Sequence, residues 1–274
     1  MKVKHLIFVF NIIIVVVILT TLLMPIMVMG FEFSVNLWPK ILPFLFFIVF
    51  LLIFINIFFL INYRLLSLLE KEDWPALAFY LEHQIYTKGS YSNRKVRLLA
   101  SSYLVISDYP SVLKLESNVQ QVKPSFIDKN VLTFGVGRLL GGSQEEAAAF
   151  FKAHMEGSSA EDRLWVRWFY GFTQLLCGSY DSAEQEFLSL AASSKNAFIT
   201  GLSAYFLQGA LAKKSRKPEE CRAIAENGRK KVLKVIGSIG KWQKEAENMQ
   251  TEAFVSVIIK YINEAGKWLY NSRE

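Results

Sequence analysis

This chain is poor in the residues that carry chemistry. It has three histidines, His5, His83 and His154, in separate parts of the sequence, and no spacing among them suggests a metal site. Its only cysteines are Cys177 and Cys221. Each lies in a helical pattern and reads as a small buried hydrophobe. So few cysteines suit a reducing compartment, with a disulfide left open for an exported domain. Gly135-Val136-Gly137 lacks a third glycine at phosphate-loop spacing and follows no strand, so it reads as a close approach between helices. The pairs Glu145-Glu146 and Glu219-Glu220 stand at helix starts, where they favour the helix dipole. No stripe of Arg and Lys with interleaved aromatics appears, which argues against nucleic acid. The sequence therefore offers no catalytic, cofactor-binding or metal-binding residue, and it reads as a non-enzyme.

Charge is also missing from two long runs. Residues 6–29 and 41–61 are uncharged and almost wholly apolar. About 20 such residues span a bilayer as a helix, so residues 1–62 are expected to form a transmembrane hairpin. The first run is longer than the ~7–15 apolar residues of a signal peptide and lacks a small-residue cleavage site, which favours an uncleaved anchor. Pro25, Pro43 and Asn56 are tolerable in membrane helices, and Asn56 is placed to hydrogen-bond to the first helix. The segment 30–40, with Phe33 and Trp38, is expected to be a short interfacial loop. Basic residues flank the outer ends: Lys2 and Lys4 before the first run, then Arg64, Lys71, Lys88, Arg94, Lys95 and Arg97 after the second. This bias places the remaining domain in the cytoplasm at the inner membrane. The alternative is a periplasmic domain.

What the chain does have is a repeated turn. Asp73-Trp74-Pro75 returns 35 residues later as Asp108-Tyr109-Pro110. Further steps of about that size reach Gln144, Tyr180 and Lys217, each in or beside a turn. Periods of 20–50 residues mark stacked repeats, and about 34 is the length of one helix–turn–helix unit. In 94–124, Val96, Leu99, Ala100 and Tyr103 line one face of a helix, and Val112, Leu115 and Val119 line the next. Ser143 and Glu146 form a capping box for a helix over 144–155, preceded by one over about 127–140. Residues 241–270 read as a single long amphipathic helix closing the array.

Ala100, Tyr103, Tyr109, Val112, Val119 and Pro124 make this unit resemble a tetratricopeptide repeat, with Glu116 standing where that family usually has an aromatic. Gly171, Gly178, Tyr180, Ala183 and Phe187 continue the likeness. The resemblance implies an all-α fold: a solenoid of about five helix pairs with a terminal cap, over residues 63–274. Its first unit would pair 76–86 with the end of the second membrane helix.

In that family the first helix of each pair lines a groove that holds a protein or peptide partner. Carried over, the groove residues are Arg94, Arg97 and Ser101, then Trp165, Trp168 and Phe172. Burial in the core is the competing reading of the three aromatics. A second surface is basic, with Arg229, Lys230, Lys231 and Lys234 facing anionic lipid or an acidic partner. A solvated helix face competes there. The expectation is a membrane-anchored scaffold or adaptor, as in an envelope or flagellar-motor assembly. An accessory subunit of a transporter or secretion system is the main alternative, and a membrane enzyme or its regulatory subunit a weaker one.

Overall fold

A computed structural model describes residues 3–250 and 252–271; Lys2 and the side chain of Lys4, both used in the expected orientation, lie outside what it describes. All regular structure among the described residues is helical, with no strand. They form two compact units, Met1–Tyr80 and Leu81–Glu274.

The first unit is a helical hairpin of α1 (Val3–Met29) and α2 (Phe31–Glu70). Both helices are long and apolar enough to cross a membrane. The expected loop at 30–40 is absent. Gly30, at φ 84°, makes the reversal alone, and α2 begins at Phe31. Continuing the helix satisfies the backbone within its own segment, which an apolar solvent requires. At 1.5 Å per residue, the 40 residues of α2 extend about 60 Å. Asn11 and Asn56 exchange amide hydrogen bonds of 3.0 and 2.9 Å, which fixes the register of the two helices. Outward-facing residues such as Phe8, Val16, Phe46, Phe50 and Ile61 are each more than half exposed. Contiguous apolar surface of that kind exceeds what a soluble monomer shows.

The repeated turn proves to be one backbone motif. Glu72 and Ser107, the two non-glycine residues with positive φ among those described, each precede the aspartate of an Asp-aromatic-Pro triplet. At the first turn, Glu72 N–H donates to Leu69 O and Asp73 N–H to Leu68 O. At the second, Ser107 N–H donates to Leu104 O and Asp108 N–H to Tyr103 O. Gly178 and Ser179 repeat the pattern on Leu175 O and Gln174 O. This is the Schellman closure of a helix. Asp73 and Asp108 then accept from Ala76 N–H and Ser111 N–H and start the next helix. Within the first unit, α2 runs unbroken to this turn, and Trp74–Tyr80 folds back so that the Arg64 guanidinium lies over the Tyr80 ring at 5.2 Å.

A left-handed conformation costs a β-carbon-bearing residue about 1–2 kcal/mol, partly offset for glycine by its greater unfolded-state entropy. Ser107→Gly is therefore expected to raise stability by roughly 0.5–1 kcal/mol. Denaturant titration checks this, and a loss of stability would show that the Ser107 turn is held by something other than backbone geometry.

The second unit packs each helix against the next: α4 (Asn93–Val105), α5 (Tyr109–Val122), the short α6 (Ser125–Asp128), α7 (Val131–Gly141), α8 (Gln144–His154), α9 (Ala160–Leu176) and α10 (Tyr180–Ser193), then α11 (Ala197–Phe206) and α12 (Pro218–Ile236). Alternate helices also touch, α4 with α7, α7 with α9, and α9 with α11. Two π-type turns, His83–Thr87 after α3 (Trp74–Glu82) and Leu207–Leu211 after α11, extend their helices. The helix expected over 127–140 is split into α6 and α7, with Asn130 at the break. Ser143 caps α8 through Glu146 N–H at 3.1 Å, as its sequence implies.

The expected long terminal helix is two helices, α13 (Ile239–Met249) and α14 (Val255–Asn271), packed as a hairpin. Its apolar stripe closes on itself. Trp242 stacks on Phe198 at 4.2 Å, and its indole N–H donates to Ile262 O at 3.0 Å. Gly201 and Gly266 admit the ring: a β-carbon on either would come within 3 Å of it. Tyr205 of α11 donates to Glu264 of α14 at 2.9 Å. Burial, then that carboxylate, push the Tyr205 phenol up to about 12. A folded-state value above the ordinary 10 means that this contribution is intact below pH 10 and is lost as pH rises through 12. Tyr205→Phe is expected to flatten the decline in stability over that window, as measured by unfolding at stepped alkaline pH.

Candidate functional site

The clearest concavity of the second unit is a cleft of about 450 Å³. Arg97 of α4 and Lys129 to Thr133 at the α6–α7 junction form one side. Asp162 and Trp165 of α9 and the α11 cap residue Asn196 form another. Met249, Glu252 and Phe254, between and beside α13 and α14, close it. It thus lies along α4, α7 and α9.

Several of its polar groups have structural duties. Ser159 caps α9, accepting from Asp162 N–H at 3.1 Å and donating to the Asp162 carboxylate at 2.8 Å. Asn196 accepts from Phe198 N–H and Ile199 N–H. Asn130 donates to Asn93 Oδ1 at 2.7 Å and to Phe126 O at 2.8 Å, which fixes its amide; its own buried Oδ1 has no partner among the described residues. Arg97 and Glu252 pair across the mouth at 2.5 Å. Both are about half exposed, so the pair contributes at most about 1 kcal/mol and is a weak latch. Lys129 is exposed, with its ammonium 5.8 Å from the Phe126 ring. The cleft therefore offers one lightly held guanidinium, one ammonium, the Asp162 carboxylate and the small exposed part of Trp165.

The site residues expected from the sequence separate. Arg97 and Trp165 come together in this cleft. Arg94 is exposed on α4 but is not part of the cleft wall. Trp165, Trp168 and Phe172 are 6%, 0% and 4% exposed, so the expectation of three groove-facing aromatics is corrected. The terminal hairpin fills that part of the groove: Phe254 lies 5.4 Å from Trp165, and Tyr261 lies 5.4 Å from Phe172. Trp168 stacks on Phe172 and meets Phe187 and Phe206 in a continuous aromatic core. Lys129 and Asn130 were missed by sequence reasoning, because the α6–α7 break that presents them was read as continuous helix. Lys230, Lys231 and Lys234 are exposed on α12, away from the cleft wall.

The histidines and cysteines stay apart from the cleft. His154 Nδ1 is 2.7 Å from Asp128, and His83 is exposed. Burial pushes both thiols up, with Glu145 adding to the effect at Cys177, so neither is an activated nucleophile. Among the described residues no cluster of metal-ligating side chains occurs.

Fold and site together define an all-α protein whose successive helices pack on one another, joined in sequence to two apolar helices of membrane-crossing length. The chain belongs to a family described as an uncharacterised Treponema protein, whose model matches residues 111–271, more than half of its length. An uncharacterized protein of Treponema pallidum (strain Nichols) is 32% identical over 235 residues, covering 82% of this chain and 75% of its own. That coverage is more than residues 63–274 can supply, so the similarity reaches into the hairpin. No solved structure matches the chain.

Proposed function

We propose that this protein is a membrane-anchored, tetratricopeptide-like scaffold that holds a segment of a partner protein in the cleft between α4, α7 and α9. The observation that carries the reading is the cleft itself: a concavity along α4, α7 and α9, with the exposed Arg97–Glu252 pair across its mouth. A partner carboxylate can replace Glu252 on Arg97 at little cost, and the Trp165 edge supplies an apolar contact of the kind that dominates interfaces. Three Schellman turns in the register of the 35-residue period support the repeat reading. So does the packing of alternate helices on one another. The exposed apolar faces of α1 and α2 support the anchor. The basic residues following α2 favour a cytoplasmic repeat domain.

Trp165→Ala and Trp168→Ala are poor probes, since both remove buried core. The informative variant is Arg97→Glu with Lys129→Glu, which reverses both cleft cations on the surface. Full-length protein purified from its own membranes should lose a co-purifying protein in this variant while its helical content is unchanged. Identical co-purifying proteins in both preparations would remove the cleft from the account.

A further inference from the structure

The carboxyl-terminal half of α12 stands out from the rest of the surface. From Asn227 to Lys244 the chain has Arg229, Lys230, Lys231, Lys234, Lys241 and Lys244 and no acidic residue. Arg229 turns inward, with its guanidinium donating to Leu269 O at 2.9 Å. The five lysines are exposed. In the first half of α12 charges are matched: Glu219 with Arg222 at 2.8 Å, Glu220 with Lys217 at 3.3 Å. Among the described residues no carboxylate pairs with Lys230, Lys231 or Lys234; Lys231 instead donates to Ala192 O at the end of α10. Amid these lysines stands Val235, 73% exposed, the most exposed large apolar side chain described in the second unit, with Ile239 at 37% opening α13 just beyond the Gly237 break. Val235, Lys231 and Lys195 share one shallow depression.

We infer that the end of α12 and the start of α13 rest on an anionic bilayer surface, with Val235 and Ile239 entering the headgroup layer and the lysines meeting lipid phosphates. The inference rests on the membrane-anchored reading. A tethered domain meets the bilayer at high effective concentration, so weak contacts suffice. The composition favours lipid over an acidic protein. Lysines are point charges on flexible stems and suit a fluid anionic surface, whereas bidentate recognition of a fixed carboxylate favours arginine. Long lysine stems also lie along apolar surface while their ammonium groups reach outward, which lets Val235 approach the acyl boundary. Each lysine near an anionic surface contributes about fivefold to the local association constant, so three contribute roughly a hundredfold.

The test uses the full chain in lipid nanodiscs, with Cys177→Ser to remove the more accessible thiol and Val235→Cys carrying an environment-sensitive fluorophore. Lipids bearing a headgroup quencher report contact. Quenching is expected in discs containing phosphatidylglycerol. It should be absent in pure phosphatidylcholine, and lost in high salt and in Lys230→Glu/Lys231→Glu/Lys234→Glu. The milder Lys230→Glu/Lys234→Glu, which leaves the Lys231 bond to α10 intact, should lose most of it. Equal exposure of the label in both lipids, or quenching indifferent to the lysine changes, overturns the inference. Failure of the protein to incorporate into discs at all would instead overturn the anchor.

Discussion

Gly135→Ala should destabilise the helical domain by about 2–3 kcal/mol, and Gly135→Val by more. An alanine in place of a helical glycine ordinarily stabilises by about 1 kcal/mol. Here the sign reverses, because a β-carbon at Gly135 would lie 2.3 Å from the Phe151 ring of α8. That ring cannot retreat: it is fully buried and stacked on Phe169 at 5.5 Å. Two residues on, a β-carbon at Gly137 would meet Val112 of α5 at 2.4 Å. The Gly-Val-Gly triplet thus lets α7 pass between α5 and α8. Gly240 of α13 has nothing within 4 Å and is the control; Gly240→Ala should be neutral or slightly stabilising. Urea titration of the detergent-solubilised chain, followed by helical circular dichroism, measures both. A neutral Gly135→Ala would mean that α7 and α8 do not approach as described.

Arg138→Leu should cost about 2–4 kcal/mol, for a different reason. Glu116 is 6% exposed, and its carboxylate is held by Arg138 through Nε at 2.9 Å and Nη2 at 2.8 Å. The same guanidinium lies 5.1 Å from the Phe150 ring, and its bond to Glu116 holds it further into the charged state. Removing the cation leaves a carboxylate with little access to water, the expensive outcome for an ion pair. Replacing both partners should recover most of the loss, since an apolar pair of similar size needs no desolvation. Glu116→Leu with Arg138→Met is the rescue. Its recovery in the same titration, beside the single variant, separates ion pairing from simple loss of volume.

These two sites show what was legible in the sequence and what was not. The glycine triplet was readable as close packing, because missing side chains next to apolar ones leave few other uses. The Asp-aromatic-Pro turns were readable because a Schellman closure followed by an aspartate cap is local chemistry. The all-α character and a hydrogen bond from Asn56 to the first helix followed from equally simple patterns; the partner there is Asn11. Glu116, in contrast, looked like a departure from its repeat pattern; its partner lies 22 residues away on α7. The division of the terminal segment was hidden for a related reason. No glycine or proline lies between α13 and α14 in the sequence, and the reversal between the two helices rests on distant packing partners: Phe198 for Trp242, Trp165 and Phe169 for Phe254. That reversal determines the site. It sets Tyr261 against Phe172 and Phe254 against Trp165, leaves Trp165 at the edge of a cleft, and brings Glu252 to Arg97.

The most direct test of the scaffold reading is photo-crosslinking in intact cells. A photoreactive amino acid at position 129, in the cleft, is compared with one at Lys114, exposed on α5. A discrete protein adduct that sediments with membranes is expected from position 129, absent from position 114, and lost with Arg97→Glu. No adduct from 129, or the same adducts from both positions, would contradict it.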